Sequence, residues 1–300
     1  MKENSAAARD AFIQNLRNRF KVTSTTDLTF LKDTKAVIDS IEKTPTNRGK
    51  PQSINSLKTY FSLVTSMLRD NSSPELQGAL EEYRKRMLHY RDVHDEDAKK
   101  QEATEAETKK WNEWDTILKT RESLAEKAKD FRSFQAYLIV CLYTFIKPQR
   151  LDYTPMKWVS AAPKYKEGER KYNVSLMTAS KATFIFHEYK SEATYGTRQI
   201  EAPDDLFKVL QKWKEYNKSE WLLVKLDGET PLAESALGQK IQTIFETETG
   251  KPSSVNTLRH AYITHKRGCE MALTEKEKMS AAMAHSSATN ELYRRIPKAK

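Results

Sequence analysis

The chain has 300 residues, of which 38 % are apolar, so it is long enough for one or two domains with buried cores. Lysine and arginine number 51 against 41 aspartates and glutamates, and the formal net charge of +10 favours a polyanionic partner, although an ordinary basic surface would give the same balance. No run approaches the roughly 18 apolar residues of a membrane span, and residues 1–10 have no signal-type apolar core, so we expect a globular protein without a membrane segment inside the cell, in the cytoplasm or the nucleus.

The first hundred residues carry apolar side chains at helical spacing. Four segments show this pattern: Phe12 to Phe20, Phe30 to Ile41, Leu57 to Leu68, and Leu76 to Tyr90. Asp27 follows two threonines and is a helix-start signal. We therefore predict a helical domain over residues 1–98.

A polar stretch follows this domain. From Val93 to Lys110 nearly every residue is charged, small or polar, so the stretch cannot bury a core and is either an exposed helix or a flexible strap. We place a charged linker at residues 99–110. Trp111 and Trp114 resume an amphipathic pattern and open a second domain over residues 111–300.

The middle of the second domain contains the predicted strands. Val174–Thr178, Phe184–Tyr189 and Arg198–Ala202 are typical of a small antiparallel sheet, and the apolar spacing from Leu206 to Trp213 predicts the next helix. The predicted fold class is mainly α with a small antiparallel β-sheet.

The cysteines and histidines do not form a familiar metal or disulfide pattern. Cys141 and Cys269 stand alone, which predicts buried thiols. His260 and His265 are five positions apart, whereas helical zinc ligands are spaced by four. We expect no metal site.

Five residues of the second domain suggest phosphate chemistry. Arg259 is followed by a histidine within an apolar helix, His285 follows an alanine, and Tyr293 comes eight positions after it. Upstream, Arg150 follows the apolar segment 137–145, and Lys190 lies in a turn between two predicted strands. Guanidinium, imidazole and phenol groups together can bind and attack a phosphate.

This pattern resembles the tyrosine recombinase and integrase family. The family has an arginine followed by histidine in one helix, then a Gly-His or Ala-His turn and a nucleophilic tyrosine, with an earlier arginine and a lysine upstream. The resemblance implies a SAM-like, core-binding N-terminal domain and a catalytic domain that clamp double-stranded DNA, and a homo-oligomer, a tetramer on DNA. The box that runs from Arg150 to Tyr153, with Met156 after it, is more similar to recombinases of large DNA viruses and mobile elements.

The resemblance also implies a role for each residue. Arg150 and Arg259 would hold the phosphate, and Tyr293 would attack it to form a 3′-phosphotyrosyl bond. His285 would hydrogen-bond a nonbridging oxygen, and Lys190 would protonate the departing 5′-oxygen. Tyr262 is a rival to the nucleophile and Lys181 a rival to the acid, and both rank below the residues chosen. No metal or nucleotide cofactor is required.

Two positions depart from the family pattern. Asn256 stands three residues before Arg259, where the family usually has histidine or lysine, and an amide can donate a hydrogen bond but cannot accept a proton for transfer. Ala284 stands in place of the common glycine, which is a milder change.

The sequence leaves the function open between three possibilities. The first is a site-specific recombinase or integrase; the second is a type IB DNA topoisomerase, which uses the same residue types; the third is a DNA-binding relative with weakened catalysis, which Asn256 makes possible. Some basic residues of the first domain are candidate phosphate contacts, although a solvated basic face explains them equally well: Lys58, Arg69, Arg84, Lys85 and Arg86.

Overall fold

The computed structural model of the chain describes residues 2–46, 49–69, 74–100, 102–159, 172–267, 273–284 and 286–294. The backbone separates into two compact units, Met1–Lys100 and Gln101–Lys300. Each unit has its own hydrophobic core and is built mainly from helices. Among the helices within these ranges, none combines the length and the apolar character needed to cross a membrane.

The described part of the first unit contains helices and no strand. Its elements are α1 Lys2–Arg19, a 3-10 turn at Thr29–Lys32, α2 Thr34–Lys43, α3 Ile54–Arg69 and α4 Pro74–Lys99. The four segments predicted from apolar spacing are confirmed as helices. In α3 the buried residues are Leu57, Phe61, Val64 and Leu68, and this spacing places all of them on the helix face that packs into the core.

The second predicted segment is divided, and its helix begins later than expected. The helix-start signal at Asp27 lies before the 3-10 turn and not before α2, and the Asp27 carboxylate accepts the Thr29 amide at 2.8 Å. Asp33 caps α2 by accepting the Ala36 amide at 3.0 Å. Both carboxylates bind the same kind of unpaired amide, so residue type alone does not say which one caps the longer helix.

The polar stretch before the second amphipathic pattern is largely helical where it is described. α4 continues to Lys99, and α5 spans Glu105–Thr108 inside the range that we interpret as a linker. Thr104 Oγ1 accepts the Glu107 amide at 3.1 Å while the Thr104 amide donates to Glu107 Oε2 at 2.9 Å. This reciprocal cap explains why a helix of only one turn forms here.

The second unit combines helices with one sheet. Its helices are α6 Trp114–Lys127, α7 Phe131–Thr144, α8 Glu192–Tyr195, α9 Asp204–Tyr216, α10 Glu234–Thr249, α11 Val255–Arg267, α12 Leu273–Ala282 and α13 Ser287–Leu292. α7 contributes the fully buried side chains Leu138, Ile139, Cys141 and Leu142. The predicted burial of Cys141 is confirmed, and burial raises the pKa of its thiol to about 12. Cys269 lies outside the described residues.

The sheet is mixed, which corrects the prediction of a purely antiparallel sheet. Its strands are β1 Met156–Val159, β2 Asn173–Met177, β3 Ala182–Phe186 and β4 Arg198–Glu201, in the order β1-β2-β3-β4. β2, β3 and β4 are the three predicted strands and pair antiparallel, whereas β1 pairs with β2 in parallel.

β1 was not predicted from the sequence, because residues that are distant in the chain form hydrogen bonds with it. On the side away from β2, the Trp158 amide donates to the Glu220 carbonyl at 2.7 Å and the Leu222 amide donates to the Met156 carbonyl at 2.8 Å. These hydrogen-bond partners lie more than sixty positions away in the sequence, so no local residue pattern indicates them.

Candidate active site

Arg259 is the buried centre of the site. It lies on α11 among the buried residues Leu258, Ala261 and Ile263, and only 1 % of it is exposed. Its Nη2 donates to the Met283 carbonyl at 3.4 Å. Burial lowers the pKa of its guanidinium to about 10, the nearby charge of Arg150 adds to the effect, and Tyr293 and Asp152 oppose it. α11 therefore carries a cation into the core.

Arg150 lies on the segment after α7, close enough to Arg259 for the two charges to repel each other. Tyr143, on α7, donates from its hydroxyl to the Arg150 carbonyl at 2.8 Å and so fixes the backbone at this position. The Arg150 side chain is half-buried. Two neighbouring guanidinium groups in partly dry surroundings form a place that favours an anion.

Asp152 is a member of this cluster that the sequence patterns did not identify. The residue is 8 % exposed, and burial raises the pKa of its carboxyl group to about 6, although the charges of Arg150 and Arg259 act in the opposite direction. The Asn173 side-chain amide donates to the Asp152 carbonyl at 2.8 Å and ties this segment to β2. Its position two residues after Arg150 is the signal that could have identified it.

Tyr293 lies directly after α13 and reaches Arg259. The Arg259 Cζ atom lies 5.6 Å from the centre of the Tyr293 ring. The two candidate residues are thus brought together, although they are separated by 34 positions in the chain. The rival Tyr262 is 9 % exposed and packs edge-on against Trp114 at 5.1 Å, and burial raises the pKa of its phenol.

His260 contacts Tyr293, and the sequence analysis names it only as the histidine that follows Arg259, without a role in the site. Its ring stacks on the Tyr293 ring with centres 4.5 Å apart, and its Nδ1 lies 2.6 Å from the Tyr293 carbonyl oxygen. A carbonyl can only accept, so Nδ1 carries the hydrogen. The residue following Arg259 therefore holds the backbone of the candidate nucleophile.

Asn256 lies one helical turn before His260, and its side-chain nitrogen is 3.2 Å from His260 Nε2. Because Nδ1 carries the hydrogen in the neutral ring, Nε2 accepts from the Asn256 amide. Both residues line a pocket of about 170 Å³, together with Glu107, Lys110 and Trp111. Position 256 thus opens onto free space.

His285 lies outside the described residues, but both of its neighbours are described. Ala284, two residues after the end of α12, has φ of +52°, and its amide donates to the Ala281 carbonyl at 3.0 Å. Ser286 Oγ accepts the Thr289 amide at 3.1 Å and so caps α13. The described neighbours of position 285 thus follow α12 on one side and precede α13 on the other, and Tyr293 comes directly after α13.

Lys190 is exposed in the turn that follows β3. The adjacent Tyr189 is buried, and its hydroxyl donates to the Gly196 carbonyl at 2.6 Å. The rival Lys181 lies in the turn between β2 and β3 and forms an ion pair with Glu201 at 2.9 Å. In the loop between β3 and β4, burial and a hydrogen bond thus hold the Tyr189 side chain in place, and the neighbouring Lys190 side chain is exposed.

The candidate phosphate contacts of the first unit are surface residues of α3 and α4. Three of them pair with carboxylates, Arg84 with Glu81 at 3.7 Å, Lys85 with Glu82 at 2.8 Å and Arg86 with Glu42 at 3.6 Å. Exposed pairs of this kind contribute about 0–1 kcal/mol, so a phosphate could displace them. Lys58 is half-buried and Arg69 is exposed. Their role in binding stays a prediction.

No protein-family model and no curated protein sequence matches the chain. Among solved structures, the chain is similar to tyrosine recombinases. XerH site-specific recombinase, bound to difH substrate in a pre-cleavage complex, aligns with a TM-score of 0.46 and 13 % identity over 96 % of this chain and 91 % of that chain. XerA recombinase gives 0.43 and 12 % over 98 % and 95 %. A lambda integrase dimer bound to a COC′ core site gives 0.43 and 12 % over 100 % and 84 %.

We predict that Asp152 makes stability depend on pH. Its pKa of about 6 in the folded chain exceeds the value of about 3.9 in an unfolded chain. The folded state therefore binds the proton more tightly, and the resulting stabilisation is complete below about pH 4 and is lost as the pH rises through about 6. The loss is roughly 2–3 kcal/mol.

Denaturant unfolding of the wild type and of Asp152→Asn, measured from pH 4 to 7, checks this prediction. The free energy of unfolding of the wild type should fall relative to that of the variant across this range, because asparagine does not titrate. Parallel curves for the two proteins would contradict the prediction.

We also predict that His260 stabilises the end of α13. His260→Ala removes the ring under Tyr293 and the hydrogen bond to its carbonyl, so the free energy of unfolding should fall by about 1–3 kcal/mol. Amide exchange in residues 286–294 should become faster. His265→Ala is the matched control, since His265 is an exposed residue of the same helix, and equal losses for the two variants would refute this role.

Proposed function

We propose that the chain is a site-specific DNA recombinase or integrase that cleaves and rejoins strands through a 3′-phosphotyrosyl intermediate. The proposal is carried by one observation, the buried guanidinium of Arg259 beside the Tyr293 ring at 5.6 Å. The repulsion between Arg150 and Arg259 supports it, because two cations brought close together favour a phosphate between them.

The proposed reaction begins with phosphate binding. A scissile phosphate lies between Arg150 and Arg259, whose planar donors hydrogen-bond its nonbridging oxygens. These bonds strengthen as the phosphorus becomes five-coordinate and the oxygens gain charge, which lowers the barrier. His285 adds a further hydrogen bond to a nonbridging oxygen. The supporting feature is the segment just before His285, which Arg259 holds through the Met283 carbonyl.

Tyr293 is the proposed nucleophile. Its phenol oxygen gives up its proton to water and bonds to phosphorus, and the bond between phosphorus and the 5′-oxygen breaks. Lys190 gives a proton to the departing oxygen. The phosphotyrosyl bond retains the energy of the broken linkage, so a 5′-hydroxyl from a partner duplex can reverse the reaction and join the strands without a nucleotide or a metal.

Proton removal from Tyr293 is the step in which this chain departs from the family. Asn256 has no basic lone pair, and the neighbouring His260 uses both ring nitrogens, one toward the Tyr293 carbonyl and one toward Asn256. Cleavage would then be slower than in a site with a base at position 256. This favours a catalytically weakened DNA-binding relative as the second candidate.

The proposed partner is double-stranded DNA, bound by several protomers of the chain. The net charge of +10 supports a polyanionic partner. We propose duplex DNA as the partner of this chain because of its own net charge and its own site residues. A tetramer on DNA is the proposed assembly.

The covalent intermediate gives the most direct test. A duplex with a nick next to the cleavage point lets the freed fragment diffuse away, so a denaturing gel should show protein joined to DNA. Tyr293→Phe should abolish this adduct while leaving the fold intact, since only one hydroxyl is lost. Arg150→Ala should reduce its rate of formation by about 10²–10³-fold.

The outcomes of this test separate the candidate functions. An adduct with joined partner DNA supports the recombinase, whereas an adduct with relaxation of plasmids and no joined partner indicates a type IB topoisomerase. Binding to duplex without an adduct would overturn the proposed chemistry and leave the weakened relative.

We predict that Asn256→His accelerates cleavage. An imidazole at this position borders the pocket of about 170 Å³ and can take up the phenol proton, so the adduct should form about tenfold faster or more. The gain should appear as the pH rises through about 6.5. Asn256→Gln, which cannot accept a proton, is the control. Equal rates for the two variants would show that proton removal does not limit cleavage.

A further inference from the structure

Arg198, on β4, touches three separate segments of the second unit. Its Nη1 donates to Gln149 Oε1 at 3.2 Å, and its Nη2 donates to the Ala282 carbonyl. Its Cζ lies 5.5 Å from the centre of the Tyr189 ring. One side chain therefore joins the segment after α7, the end of α12 and the loop after β3.

Each of these contacts lies close in sequence to a candidate catalytic residue. Gln149 immediately precedes Arg150, and Tyr189 immediately precedes Lys190. Ala282 lies three positions before His285. Arg198 is thus the point at which the backbone segments that carry the first arginine, the lysine and the histidine meet.

The end of α12 is held from two sides. Arg198 binds the Ala282 carbonyl and Arg259 binds the next carbonyl, that of Met283. Carbonyls at the C-terminal end of a helix lack partners within the helix and carry its partial negative charge, so cations bind them well. Gln149 Nε2 also donates to the Ala282 carbonyl at 3.3 Å, which closes a triangle with Arg198.

The geometry points to Arg198 as a positioning residue of the candidate active site. It holds Arg150, Lys190 and the turn before His285 in fixed positions relative to one another. This inference rests on the proposed function for its effect on cleavage. The two terminal nitrogens of the guanidinium bind protein acceptors on different segments, and through these contacts Arg198 positions the residues that follow on each segment.

The planar fork is required for this role. Arginine presents donors in fixed directions and reaches two acceptors at once, whereas the single ammonium of lysine is a point charge. Arg198→Lys should therefore keep the charge but lose one of the two bonds. Arg198→Ala should lose both bonds and the contact with the Tyr189 ring.

The first arm of the test measures cleavage and binding separately. Adduct formation in a single turnover on the nicked duplex should slow by about 10²-fold in Arg198→Ala, since a displacement of about 1 Å costs that much. The dissociation constant for the same duplex should change by less than about threefold, because few phosphate contacts are lost. Arg198→Lys should fall between Arg198→Ala and the wild type.

Lys157→Ala is the matched control. Lys157 is a half-buried cation on β1 of the same sheet, and it lies over the rings of Tyr172 and Trp221 at 5.2 and 5.0 Å. None of these residues adjoins a candidate catalytic residue in sequence, so the control should leave the cleavage rate within about twofold. An Arg198→Ala rate equal to the control rate would overturn the inference.

The second arm needs no activity and separates the inference from the proposed function. Amide exchange at Met283 and Ala284, whose amides close the end of α12, should become at least tenfold faster in Arg198→Ala and stay unchanged in Lys157→Ala. If the wild type forms no adduct, the proposed function fails, and this arm still decides whether Arg198 holds the turn. Unchanged exchange in Arg198→Ala would refute that role.

Discussion

One buried positive charge governs the arrangement of the second unit. Arg259 is 1 % exposed, and burying an ion costs several kcal/mol unless protein groups replace the lost water. The Met283 carbonyl, the face of the Tyr293 ring and the carboxyl group of Asp152 provide that replacement. Because these groups lie just after α12, just after α13 and in the segment after α7, burying the cation also assembles the site.

The fold was predictable from the sequence where the information is local. Apolar residues spaced like Leu57 and Phe61 identified the helices, and alternation identified β2, β3 and β4. The starting point of α2 was missed because Asp27 and Asp33 offer the same chemistry. β1 was missed because its hydrogen bonds come from distant residues such as Glu220.

The residues of the candidate site were likewise only partly predictable from the sequence. Motif order pointed to Arg259 and Tyr293, and the structure brings these two residues together. Asp152, His260 and Arg198 were not identified, because each also interacts with a residue that is remote in sequence. The contact between Arg198 and the Ala282 carbonyl spans 84 positions, and only the packing of β4 against the end of α12 creates it.

Ala284 limits which residues the corner between α12 and α13 can accept. Its φ of +52° lies in the left-handed region, which glycine adopts freely and other L-residues adopt at about 1–2 kcal/mol. Its methyl group lies in the core, with 3 % of the residue exposed, so a larger side chain would also have to displace packed neighbours. Position 284 should therefore accept only glycine, alanine and the few small residues that tolerate this backbone conformation.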